Sequence, residues 1–112
     1  MSIGAWIKDA VSPIVPTVEA DVYTGDADIY CTWNATEIPM AHANNVPHAI
    51  RYLAQLHLFV PFRFNPTQLK RQLRRALLEA GFTAPTVETV EADRDAGRHI
   101  VFEFEGVERE VF

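Results

Sequence analysis

Four histidines and one cysteine are the residues of this chain best equipped for chemistry, and their spacing decides which chemistry is open to them. His42 and His48 lie in a stretch that reads as a loop, while His57 and Cys31 lie in stretches that read as strands. Zinc sites draw their ligands in pairs about two to five residues apart, and no such pair occurs here. Asp21, Asp26 and Asp28 gather around Gly25, but a calcium loop places its glycine after the first aspartates and closes on a glutamate. Only the Asp26–Asp28 spacing fits, so these aspartates read as turn formers. Cys31 sits inside an apolar alternation and reads as a small core residue; the alternative is a nucleophile activated by His57 from a neighbouring strand. Glu103 and Glu105 share a strand face that reads as solvated rather than as the paired carboxylates of a cleft. No glycine-rich run opens a helix, which excludes a phosphate loop. The sequence names no catalytic residue, no metal ligand and no cofactor, and points away from an enzyme.

Charge is the next signal. Between Arg51 and Arg75 stand six basic residues and no acid, whereas Glu88 to Glu110 holds eight acids against three arginines. The first stretch includes a helix and the second a β-hairpin, so opposite charge is expected on different parts of the surface. Such a subunit suits head-to-tail docking of copies of itself, a heterologous contact that makes a ring when it closes. The expected interface residues are Lys70, Arg71, Arg74 and Arg75 toward one neighbour and Glu103 and Glu105 toward the other. Complementary charge would fix register more than it would add affinity. Cations beside an apolar stripe can also be simply the solvated side of a helix, or can track a phosphate backbone. Nucleic acid is disfavoured as a partner: no aromatics interleave the cations, the net charge is −5 and the pI is about 5.2.

The elements that must carry these residues follow from periodicity and punctuation. At 112 residues, with 48% hydrophobic and 22% charged residues, a single globular domain is expected. A lone cysteine permits no intramolecular disulfide and fits a reducing cytosol. No cationic leader with an apolar stretch opens the sequence, and no window of about 18 apolar residues predicts a membrane helix. Ile3, Trp6, Ile7 and Ala10 have helical spacing, ended by Pro13 and Pro16, with Trp6 as a core plug; residues 1–20 are expected to form an arm or a short helix. Asp21–Asn34 reads as extended chain broken by a turn at Thr24-Gly25-Asp26, where Gly25 can take positive φ. Ile29, Cys31 and Trp33 share its buried face. Residues 38–48, with two prolines and two asparagines, read as a long loop.

Residues 49–60 give the clearest strand, with Ile50, Tyr52, Ala54, Leu56, Leu58 and Val60 on one face and Arg51, Leu53, Gln55, His57 and Phe59 on the other. A helix is predicted over about 66–80, capped by Asn65, opened by Pro66 and closed by Gly81. Leu69, Leu73, Ala76, Leu77 and Ala80 form its apolar stripe. The last third predicts a hairpin, Val87–Ala92 and Arg98–Glu105 around a turn at Asp93–Gly97, with Ile100, Phe102 and Phe104 inward. The fold class that results is α+β: an antiparallel or mixed sheet of about four strands with a principal helix and a short N-terminal helix packed on it.

DVYTGDADIYCTWN (Asp21–Asn34), the strand-plus-helix run from Ile50 to Thr83 and HIVFEFEG (His99–Gly106) together resemble small proteins of tailed-bacteriophage and prophage structural clusters. These are the minor tail proteins of the tail-terminator, or head–tail joining and tail-completion, group. The resemblance covers most of the chain and is one of pattern: the aromatic extended segment, the alternating strand, the capped helix and the acidic, aromatic final strand. It implies an α+β subunit that forms a ring, hexameric on assembly, on the end of the tail tube. The implied partners are copies of itself, the tail tube protein and head connector proteins. The implied location is the tail or neck of the virion, and host cytoplasm during assembly. The chain is short for a ring former, with no long insertion between helix and final hairpin, so a terminator, a connector-ring stopper and another minor tail component all remain open. Residues 1–20 and 38–48 would order on assembly. The alternatives from other classes are a small phage-encoded adaptor and a nucleic-acid-binding module using the basic helix.

Overall fold

The computed structural model describes residues 2–43 and 46–109, with the side chains of residues 41–48 excepted. It is an α+β fold, a mixed five-stranded sheet with two helices packed on one face. In chain order the elements are α1 (Ile3–Val11), β1 (Val18–Ala20), β2 (Tyr30–Ala43), β3 (Val46–Val60), α2 (Thr67–Glu79), β4 (Thr86–Asp93) and β5 (Gly97–Arg109). The strands lie in the order β1-β2-β3-β5-β4. All neighbours pair antiparallel except β1, which runs parallel to β2 with Val18 opposite Cys31.

Local chemistry explains the helices. The Ser2 hydroxyl accepts the Ala5 N–H at 3.0 Å and opens α1. The Asn65 side-chain oxygen accepts the Thr67 N–H at 3.1 Å and orders the entry to α2, but the N-cap is Pro66, one residue past the expected Asn65, and its carbonyl accepts the first helical N–H, from Lys70. Gly81, at φ +102°, takes the left-handed turn that ends it. Leu73 and Leu77 of the predicted stripe are fully buried, each contributing about 1.5–3 kcal/mol of apolar transfer. Residues 2–20 form no free arm. Ile7, Val11, Val15 and Val18 are buried in the common core, and Trp6 stacks on Phe82 at 4.1 Å while its indole N–H donates to the Ala80 carbonyl at 2.8 Å.

The sheet's inner face is a set of cross-strand rows set by register. Cys31, Leu58 and Ile100 make one row, Trp33, Leu56 and Phe102 the next, and Ala35, Ala54 and Phe104 a third. Every inward residue predicted for β3 is buried, as are Ile100, Phe102 and Phe104 of β5.

Residues 38–48 correct the sequence reading. Within the expected loop, residues 38–43 belong to β2 and residues 46–48 to β3, and the two strands pair antiparallel from Tyr30 opposite Phe59 to Ala43 opposite Val46. Its prolines suggested irregular chain, but Pro39 is tolerated for a geometric reason. Cys31 donates its N–H to Thr17 and Trp33 accepts from Asp21, so odd-numbered residues of β2 direct their backbone groups away from β3. Pairing runs without a bulge through Pro39 opposite Ile50, which places the missing N–H on the unpaired edge. A 15-residue strand spans about 50 Å at ~3.3 Å per residue, which accounts for the molecule's 55 Å length against widths of 25 and 23 Å.

The turn before β2 also differs in detail from expectation. Asp21, not Gly25, adopts the left-handed conformation, at φ 64°; a short polar side chain tolerates it. The three-residue β1 has no counterpart in the sequence reading.

Candidate assembly interface

The sheet separates the two charge groups. Leu73 and Leu77 seat α2 on the inner face, which leaves Arg71, Arg74 and Arg75 exposed, while Lys70, seven residues before Leu77, lies beside the buried stripe and is half-buried. Glu103 and Glu105 project from the opposite, outer face of β5. The structure therefore does not bring the cations of α2 and these carboxylates together within one subunit. The acids do have partners. Glu105 accepts from Arg51 Nε at 2.8 Å, and this is the salt bridge found among the described residues. The Arg51 guanidinium holds the Glu105 carboxyl below its usual range, and Glu105 raises Arg51 in return. Both side chains are more than two-fifths exposed, so solvent screens the pair. Glu103 sits 3.4 Å from Gln55 Nε2, a long contact.

Around these acids the outer face is mixed. A shallow depression of about 580 Å³ is lined by Asn34, Thr36, Leu53, Gln55, Glu103 and Glu105, among others. At the end of the sheet near the β4–β5 turn, a cleft of about 660 Å³ is lined by Tyr30, Phe59, Phe62, Arg63 and Arg94, among others. Arg98 donates from Nε to the Phe62 carbonyl at 3.0 Å and lies over the Phe62 ring, which ties the chain after β3 to β5.

The outer face also carries a pair that sequence reasoning missed. His57 Nδ1 and His99 Nε2 are 2.8 Å apart, and Asn34 Nδ2 is 3.1 Å from His57 Nε2. With Asn34 donating to Nε2, the His57 proton sits on Nδ1 and is donated to His99. Phe59 stacks on His99 at 4.3 Å, and Tyr30 stacks on Phe59 at 4.8 Å. Both histidines fall on outward positions of strands that the alternation predicts, but their meeting depends on the register Phe59 opposite His99, which alternation cannot supply.

Burial pulls the His57 pKa down, His99 adds to this and Glu103 opposes it; burial likewise lowers His99, against Glu91. Unfolded histidines then take up protons first as pH falls through their ordinary value of 6.5. The pair's contribution is full above that value and is lost on acidification until the lowered folded values are passed. Unfolding in urea between about pH 7 and about pH 5 should show stability falling with pH, and the fall should be shallower in His99→Gln. Equal slopes in the two proteins would show that the pair does not titrate in this way.

The remaining candidates resolve simply. Cys31 faces the inner side, fully buried, and burial pushes its thiol up to about 12. His57 faces the outer side, so the alternative of a Cys31–His57 couple fails: opposite pleats of paired strands point to opposite faces. Asp21, Asp26 and Asp28 lie on the exposed chain between β1 and β2. The side chains of His42 and His48 lie outside the described residues. Among the described residues no group of three or more His, Cys, Asp or Glu is placed to hold a metal ion. No described helix is long and apolar enough to cross a membrane. No protein-family model matches the chain, and no curated protein matches it as a relative.

Proposed function

We propose that this chain is a non-enzymatic structural subunit of a tailed phage, which assembles with copies of itself into a ring that terminates the tail tube and joins tail to head. The observation that carries this reading is the placement of opposite charge on opposite sides of one sheet. Exposed arginines line α2 beyond the inner face, and carboxylates line the outer face and the β4 edge. Apart from Glu105, which Arg51 holds within the subunit, charge separated in this way is open to other molecules, and repetition of one heterologous contact closes a ring. The resemblance to tail-terminator and tail-completion proteins supplies the biological setting: the tail or neck of the virion, with the tube protein and head connector proteins as partners and a hexamer as the expected ring.

The test is tube length. Tube protein encoded beside this gene should polymerise into long tubes alone. With substoichiometric amounts of this chain it should give short tubes bearing a ring at one end in electron micrographs. Unchanged lengths and bare ends would sink the proposal.

A further inference from the structure

Two large apolar side chains stand exposed inside opposite charge. Leu78 of α2 is 51% exposed and Val90 of β4 is 50% exposed. Arg71, Arg74, Arg75 and Leu78 fall at helical spacings of three, four and seven, so they share one exposed face, turned away from the buried Leu73 and Leu77. Glu88 and Glu91 flank Val90, and all three are exposed. Pairing between β4 and β5 shifts register between Thr89 and Glu91, so Val90 is the unmatched residue of a bulge on the sheet's terminal strand.

We infer that α2 of one copy docks on the bulged edge of β4 of the next, with Leu78 against Val90 and Arg71, Arg74 and Arg75 against Glu88 and Glu91. Each surface has the composition of an interface centre, an apolar anchor within a charged rim. The two surfaces are opposite in charge and match in their single apolar residue. The bulge also selects the occupant. It interrupts the flat row of backbone groups that a partner strand would need, so β4 is poorly suited to strand addition and better suited to a helix. This contact rests on the self-assembly proposed above and reassigns its acidic side. Glu88 and Glu91 replace Glu103 and Glu105, of which Glu105 is already engaged by Arg51.

Paired charge reversals test the contact. Arg71→Glu with Arg74→Glu makes both surfaces acidic, and Glu88→Lys with Glu91→Lys makes both basic. All four positions are exposed, and circular dichroism checks that each protein folds. In sedimentation velocity at low ionic strength the wild type should associate, and each variant alone should lose at least about tenfold in association constant. An equimolar mixture of the variants should regain it, because every contact between unlike copies pairs opposite charges. Salt should weaken association in both cases. A wild type that stays monomeric at every concentration would overturn the contact, and so would variants that associate as well as wild type. Either result leaves ring formation on the tube to the tube-length assay, so the two failures are distinguishable. A monomeric wild type that binds duplex DNA, with binding lost in the arginine variant, would assign α2 to nucleic acid instead.

Discussion

Phe102→Ala should cost about 3–5 kcal/mol, the largest loss expected from any single truncation in this chain. Phe102 is fully buried on the interior strand β5, opposite Leu56 on one side and Val87 on the other, in the same core cluster as Ile7 and Val11 of α1 and Leu73 and Leu77 of α2. Truncation removes a whole ring from the junction of every layer, and the strands on either side cannot collapse into the void without breaking register. A domain of this size has a total stability of order 10 kcal/mol, so a third or more would be lost. In urea, with a slope of about 1–3 kcal/mol per molar, the midpoint should fall by more than about 1 M with the slope unchanged. A shift of only a few tenths of a molar would contradict the placement of Phe102 at the centre of the core.

Gly97→Ala comes next, at about 2–5 kcal/mol, and Gly81→Ala is its control. Both glycines sit at positive φ, +89° and +102°, where any L side chain costs about 1–2 kcal/mol. They differ in space. A Cβ at Gly81 would meet nothing nearer than the Trp6 ring at 3.6 Å, whereas a Cβ at Gly97 would lie 2.5 Å from the Val60 carbonyl oxygen. That oxygen belongs to backbone at the end of β3 and cannot swing aside as a side-chain tip would. The overlap adds about 1–3 kcal/mol to the conformational cost. Thermal or urea unfolding should therefore rank Gly97→Ala well below Gly81→Ala, and equal losses would refute the close approach of the β4–β5 turn to β3. Since this turn joins β4 to β5, the Gly97 variant should also weaken the contact proposed through Glu88 and Glu91.

Much of the fold could be read along the chain because its signals are local. Alternation over residues 49–60 needs only neighbours in sequence to show which face is buried, and all six inward residues are buried in the structure. The same holds for the Gly81 signal that closes α2 and for the inward Ile100, Phe102 and Phe104, whereas the N-cap expected at Asn65 falls one residue later, on Pro66. Failures occurred where the deciding partner is distant. Pro39 suggested a loop until β1 and β3 fixed which side of β2 its missing N–H would face. Val18–Ala20 is too short to carry a period and is a strand because Cys31 and Trp33 bond to the chain flanking it.

The candidate site divides along the same line. Composition and order alone placed cations on one element and acids on another, since charge follows residue identity. Only tertiary structure decided that the sheet stands between them, that Arg51 claims Glu105, and that a bulge turns Val90 out beside Glu88 and Glu91. The His57–His99 contact is of this second kind as well. Pattern tells which face of a strand is wet, but register tells which residues meet there, and register is settled by packing and turns acting on strands far apart in sequence.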